Sequence, residues 1–522
     1  MNSIGANRKT LVFLIIVPLA IYLGWQLAEP QSFNTLMVVT MLMGVLLTPI
    51  LLRWHRPILI FSWNAAFVFA LLPGSPPLWM LMSGASLLIV VLESIIQKRI
   101  RLLNVPSLTW TLAILSVVVF LTAYIRGGIG LRTMGSEAYG GKRYIVIFAT
   151  ILGYFALSTA QMPAASEGRY TKFFFLSGLT HAVSNLIIFA GPVFFWLFLF
   201  FPVASAIQQA QAEFMGAELV RLGGVAAAMI GVFHYLLARY PLRDILSLRR
   251  PVLPLLLAAT VALGSLGGFR SIVIQFGLLF VIKFLLDRLL FTRLSFAMLL
   301  VILLIGAVAV PNADRLPLSV QRAISFLPVE IDPEVRLDAW VSTEWRLQMW
   351  NLLLPELPNY LLIGKGYAIN PTDLYMVQHA IASGFAGGYE GALTAGDYHS
   401  GPLSALVNFG IPGTLALLAF WFVSIRALVR NFRYGDQSVR NLNSLLLATY
   451  LSKVIFFVVI FGDFAYDLAG FCGLIGFSVA VNGGVRAKTP SSAPAGAPTE
   501  NRAAPGAAGF ALPQPIASRS QG

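Results

Sequence analysis

Of 522 residues only Cys472 is a cysteine, which excludes an internal disulfide and any cysteine-based zinc cluster. It lies in an apolar run and reads as a small buried residue. No cluster of His, Asp and Glu has metal-ligand spacing. No nucleotide-binding GxxxxGK[ST] loop occurs, so an ATP-driven pump would need a partner to supply the ATPase. No repeat of roughly 20–50 residues is visible. Charge is scarce as well: 11% of residues are charged against 57% hydrophobic, with a mean hydropathy of +0.79.

A soluble protein of this size could not hide so much apolar surface. Length alone suggests several soluble domains, but repeated apolar runs of membrane-spanning length overrule that. The fold class is an all-α polytopic membrane protein. Runs of about 17–25 apolar residues fall near 10–28, 35–52, 57–73, 76–95, 107–125 and 143–162. Others lie near 172–202, 221–240, 252–268, 271–290, 294–310, 402–425, 443–461 and 463–481. The expectation is about 12–14 transmembrane helices. The long run 172–202 suits either one tilted helix or a re-entrant piece plus a span. The first run follows Arg8 and Lys9 like a signal sequence, but it lacks a small-residue cleavage site and reads as a retained helix.

The chain carries a net charge of +14. Most of that excess lies in the short connections NRK, RWHR, QKRIR, GRYTK, RYPLRDILSLRR, KFLLDRLLFTR and RALVRNFRYGDQSVR. With a cytoplasmic amino terminus all of them fall on the cytoplasmic side, where basic residues set topology; they do not point to nucleic acid. The interval Pro311–Gly401 then lies outside. It holds ten acidic and five basic residues, a net of −5, and is too long for a mere connector. The expected organisation is residues 1–310 as amino-terminal membrane helices (about eleven), 311–401 as an extracytoplasmic helical region, 402–485 as three further membrane helices, and 486–522 as a Pro/Ala-rich disordered cytoplasmic tail.

Four places on the outer side combine charge with a membrane border. In SLGGFRSIVIQFG, Arg270 follows Gly264, Gly267 and Gly268 and either holds a lipid phosphate or snorkels to headgroups. In STEWRLQMW, Arg346 lies between Trp345 and Trp350, suiting bidentate phosphate recognition or an interfacial helix. In GDYHSGPLSALVNFG, His399 follows Asp397 and Tyr398 and reads as a general base oriented by a carboxylate, or as a bonded histidine at a helix entrance. His379, twenty residues earlier, has a weaker case. The loop IRGGIGLRTMGSEAYGGKRY carries Arg126, Arg132, Lys142 and Arg143 against the usual outward charge bias.

Together GFRS, EWRLQMWNLLLPELPNYLLIGKGY and YHSGPLSALVNFGIPGTLALLAFW resemble the bacterial O-antigen ligase and polymerase superfamily. The matching pattern is Arg346 with Trp350, Gly364 with Gly366, His399, and Gly410 through Gly413, across roughly 255–430. The resemblance implies a fold related to the C-type membrane glycosyltransferases and a metal-independent transfer that needs no cofactor. The donor would be a glycan on a polyprenyl diphosphate carrier, and the acceptor a glycan, glycolipid or protein. The site would face the exterior of the bacterial cytoplasmic (inner) membrane. It makes Arg270 and Arg346 diphosphate-binding residues and His399 the base that activates the acceptor hydroxyl, with inversion. Arg322 and Lys365 are secondary outer-loop candidates without a motif match. A polymerase would use the same donor with another carrier-linked glycan as acceptor. A polysaccharide or lipid flippase would instead line a path through the whole bilayer with charges, and the inner halves of these spans carry few.

Overall fold

The computed structural model describes residues 17–487 apart from 19, 23, 26–32, 71, 73, 98–102, 104, 131–138, 160–161, 163–165, 215–218, 248 and 384–387. The chain divides into units 1–486 and 487–522, and the second lies outside the described residues save Ala487. The expected tail beyond Ala487, Arg132 and most of the expected span 10–28 lie outside them too. Among the described residues the regular elements are helices; pairing is limited to the isolated bridges Val68–Pro77 and Tyr139–Ile369.

The main helices are α1 (Phe33–Ser62), α2 (Leu78–Gln97), α3 (Pro106–Arg126), α4 (Gly141–Ser158), α5 (Glu167–Leu176), α6 (Ala182–Ala190) and α7 (Gly223–Arg239). Then come α8 (Val252–Ser265), α9 (Arg270–Leu286), α10 (Arg293–Ala309), α11 (Pro333–Leu353), α12 (Pro371–Ala382), α13 (Gly401–Tyr434), α14 (Arg440–Val459) and α15 (Phe464–Asn482). Among the described residues seven helices are long and apolar enough to cross a membrane, and three shorter apolar ones accompany them. The protein is an all-α, multi-pass membrane protein.

Two expected spans are corrected. The runs 35–52 and 57–73 are not separate helices: α1 continues through RWHR, and residues 63–70 then leave the helix. Two of its polar side chains find partners on α2. His55 Nδ1 lies 2.8 Å from Ser86 Oγ, and Arg56 donates to Glu93 at 3.3 Å. In the run 172–202, α5 and α6 are joined by a 3₁₀ turn, Ser177–His181, into one candidate span, Glu167–Ala190, and a second 3₁₀ stretch, Pro192–Leu199, follows.

The core lies where α15 runs along α4. Trp63 wedges between them, its indole N–H donating to Ala469 O at 3.2 Å. Only glycine admits this ring, since a Cβ at Gly473 would lie 2.0 Å, and one at Gly153 2.4 Å, from it.

Helix α13 bends at Gly410, with φ +62° and ψ −165°. Pro412 has no N–H, so the Asn408 carbonyl lacks its usual partner four residues on. Gly366 N–H supplies one at 3.0 Å. Lys365 N–H takes Val407 O at 2.7 Å, and Ile411 N–H turns to Leu361 O at 2.7 Å. In a membrane protein such groups have no water to fall back on. The GKG stretch is thus the hydrogen-bonding complement of the kink in NFGIPG. Gly364 fits only without a side chain: its φ is +87°, and a Cβ would sit 2.3 Å from Asn408 O.

Candidate functional site

The region 311–401 meets the bundle where α9 begins, through the short helix Leu318–Ala323, which packs on α8 and α9. The turn between α8 and α9 contains Gly268 at φ +65°, and its carbonyl accepts from Arg322 Nη1 at 2.6 Å. Arg322 is 5% exposed and also pairs with Asp338 through Nε. Arg221, just before α7, donates to both Asp338 oxygens at 3.1 and 2.8 Å. One carboxylate on α11 therefore gathers two guanidinium groups from distant parts of the chain.

Arg270 is the first residue of α9 and donates to Ala339 O and Thr343 Oγ1, both at 3.1 Å. Ala339, Thr343 and Arg346 follow helical spacing on α11, so one helix face presents them together. Arg346 has no hydrogen bond or ion pair to the described residues. Burial lowers its pKa from the ordinary arginine value, and the nearby Arg322 charge adds to that. Burial is also the main cause of the lowered value of Arg221; Arg322 adds to it, while Asp338 opposes it.

His399 stands between Asp397 and α13 in a left-handed conformation, φ +48°. Its surroundings fix it from several sides. The Trp350 indole N–H donates to the neighbouring Tyr398 carbonyl at 2.8 Å. Arg143 Nη1 donates to Gly396 O at 2.6 Å. The imidazole lies 5.0 Å from the Trp345 ring and 5.3 Å from that of Phe461, centre to centre. Gly401 lets the first turn of α13 approach α14, since a Cβ there would lie 2.2 Å from Phe457 O. Buried Nδ1 is 3.6 Å from Asp397 Oδ1, outside direct hydrogen-bonding range, which leaves Nε2 as the nitrogen available to a ligand. Burial lowers the His399 pKa below 6.5; Asp397 pulls it up and Arg346 pushes it further down. The ring is therefore neutral at pH 7 and able to accept a proton.

Arg221, Arg270, Arg322, Arg346 and His399 line one cavity of about 530 Å³. Ser271, Ser342 and Thr343 add hydroxyls, and Phe269, Ile274 and Phe461 are among its apolar lining; no carboxylate lines it. The arrangement suits an anion next to an apolar group, with a neutral base at hand. Among the described residues no group of three His, Cys, Asp or Glu is placed to hold a metal ion.

The other sequence candidates lie apart from this cavity. Lys365 is not among its lining residues. Its backbone is committed to the α13 kink and its side chain is influenced by Glu356 and Asp373. Burial lowers its pKa and those two carboxylates oppose the shift. Arg126 and Lys142 brace loops, donating to Gly364 O at 2.8 Å and Gly74 O at 3.1 Å. His379, on α12, has its ring 6.2 Å from that of Tyr375. Sequence reasoning missed Arg221 and Asp338. Arg221 opens an expected span at the outer border as Arg270 does, so the same argument could have found it.

Residues 251–418 match the family model described as O-antigen ligase. The matched stretch runs from the start of α8 into α13 and includes Arg270, Arg322, Arg346 and His399. No curated protein matches the chain.

Proposed function

We propose that the protein transfers an oligo- or polysaccharide from a polyprenyl diphosphate carrier to an acceptor hydroxyl, a reading supported by the match of residues 251–418 to the O-antigen ligase family model. The observation that carries this reading is the convergence of four arginines and a neutral histidine on one cavity that no carboxylate lines. A diphosphate is the anion this lining suits, since guanidinium forks match phosphoryl oxygens. The apolar residues suit the first isoprene units. The volume accommodates the reacting end of the donor, with the glycan extending outward.

In the proposed step the acceptor O–H gives its proton to His399 Nε2 as its oxygen attacks the anomeric carbon. The bond from that carbon to the carrier's phosphate oxygen breaks, and its electron pair leaves on the diphosphate. In-line attack inverts the anomeric centre. Arg270 and Arg346 stabilise the developing negative charge, an electrostatic role here carried by the chain rather than by a metal ion. Arg322, held by Gly268 and Asp338, sets the wall against which the diphosphate rests. The same reading sets the reaction on the periplasmic side of the bacterial inner membrane, where carrier-linked glycans meet their acceptors.

The test is transfer by the purified full-length protein in vesicles containing a carrier-linked glycan. Lipid A core, a protein and a second carrier-linked glycan serve as acceptors in separate arms. The active arm distinguishes ligase from polymerase. His399→Ala is expected to lower the rate by about 10²–10⁴. Wild-type rates from that variant would remove His399 as the base.

A further inference from the structure

The cavity residues Arg270, His399 and Phe461 stand at one end of α9, α13 and α14, and a second cavity lies at the other end of the same three helices. Helix α9 runs from Arg270 to Leu286, 17 residues, or about 26 Å at the usual rise, close to the hydrocarbon thickness of a bilayer at about 30 Å. Just beyond its end lies a cavity of about 390 Å³. Arg288 follows α9, Arg433 stands in the last turn of α13, and Arg440 opens α14; all three line it. Leu285, Leu286 and Phe432 supply an apolar wall.

Three features separate this cluster from the scattered basic residues common at a membrane face. First, the arginines come from three elements and converge on one concavity that no carboxylate lines. The nearest acids are engaged: Asp287 accepts from Ser444 Oγ at 2.6 Å and pairs with Lys283 at 3.1 Å. Asp436 accepts the Ser438 N–H at 2.8 Å. Second, the side chains of Arg288 and Arg433 have no hydrogen-bond or ion-pair partner among the described residues, and Arg440 has only a long contact of 3.5 Å to Gln437. Third, Arg288 occupies a left-handed position, φ +56°, in the turn closing α9. There its N–H reaches Leu285 O at 3.0 Å and the next N–H reaches Phe284 O at 3.1 Å. Glycine is the residue this turn favours. An arginine there accepts a backbone cost that the turn does not require.

We propose that this cavity binds a phosphate group at the membrane face opposite the candidate site, gripped by Arg288, Arg433 and Arg440. The apolar wall fits the glycerol and upper acyl carbons of an acidic phospholipid. A soluble phosphate shares the same oxyanion chemistry. Occupancy would tie together the far ends of α9, α13 and α14, whose near ends hold the arginine and histidine cavity.

The experiment uses the full-length protein in nanodiscs of phosphatidylcholine containing a trace of fluorescent phosphatidylglycerol, with binding read by energy transfer from tryptophan. The variant Arg288→Gly/Arg433→Gln/Arg440→Gln keeps the α9 turn, because glycine suits it. The control Arg243→Gln/Arg249→Gln/Arg250→Gln removes equal charge at the same end of the bundle. The proposal expects the first variant to lose labelled-lipid affinity by at least about tenfold, with an unchanged melting temperature, and the control to bind within about twofold of wild type. Displacement by millimolar inorganic phosphate supports the phosphate site and assigns it to a soluble ligand; resistance supports it and assigns the lipid. Equal losses in both variants would show diffuse surface charge, and undiminished binding by the first variant would show no site. Either result overturns the proposal.

Discussion

Replacing Arg346 by glutamine separates binding to a reacting anion from support of the fold. Arg346 has no ion pair or hydrogen bond within the described protein, and burial among other arginines disfavours its charge. Truncating it leaves no buried partner exposed, so stability should change by less than about 0.5 kcal/mol. On the proposed reading its guanidinium gains hydrogen bonds to the diphosphate as charge develops, each worth about 1.5–3 kcal/mol. One such bond predicts a fall in kcat/KM of about 10- to 150-fold. Arg322→Gln is the contrast. That side chain is 5% exposed, donates to the Gly268 carbonyl and pairs with Asp338. Asp338 keeps Arg221 and its side chain is 41% exposed, so the loss is discounted to about 1–3 kcal/mol. The assay is initial transfer rate in vesicles together with thermal unfolding in matched detergent. Full activity in Arg346→Gln, or destabilisation equal to that of Arg322→Gln, would refute the division between a ligand-facing and a fold-supporting arginine.

The acid limb of the pH–rate profile should fall as His399 takes up a proton, below the ordinary imidazole value of 6.5 because burial disfavours the cation. Asp397→Asn removes the charge that raises this pKa, so activity should persist to lower pH; Arg346→Gln removes one that lowers it, so residual activity should fail at higher pH. Shifts of the same sign in both variants would contradict the arrangement. Gly364→Ala puts a Cβ 2.3 Å from Asn408 O at φ +87°, and should destabilise by about 2–4 kcal/mol through strain and two lost backbone bonds; an unchanged melting temperature would count against the described kink. Trp350→Phe removes the donor to the Tyr398 carbonyl and should cost about 1 kcal/mol of stability, with a larger fall in kcat than rise in KM.

Fold class was legible because membrane spans are written in composition. The last three expected spans, 402–425, 443–461 and 463–481, correspond to α13, α14 and α15. What composition could not convey was where polar residues interrupt a helix and where they pair within it. RWHR reads as a loop when its charges are counted, and becomes helix because Ser86 and Glu93 face it from α2. The long run 172–202 has no charge to mark its breaks, and the 3₁₀ turn within it was not legible. Arg270, Arg346 and His399 stood out as polar residues at membrane borders. Arg221 bears the same mark, but its relation to Arg322 passes through Asp338, more than a hundred residues away in sequence. Lys365 is a secondary outer-loop candidate in the sequence, yet the stretch it sits in answers a backbone need created by Pro412.

The electrostatics of the candidate site follow from how few acids reach it. Burial, and after it Arg322, raises the cost of charge on Arg221 and Arg346, and Asp338 relieves part of it at Arg221. Asp338 is engaged by Arg221 and Arg322, which fix α11 against the ends of α7, α8 and α9. Arg270 is held only by a carbonyl and a hydroxyl, and Arg346 by neither. The cluster thus divides into two guanidinium groups that hold the wall and two whose charge is left for a ligand. A doubly phosphorylated group would satisfy the second pair without breaking the first. On the proposed reading the first pair holds its place before the diphosphate arrives, which is what electrostatic stabilisation of a leaving anion uses. His399 adds the complementary property: a ring kept neutral by burial beside cations can take a proton from an acceptor without opposing the anion those cations attract.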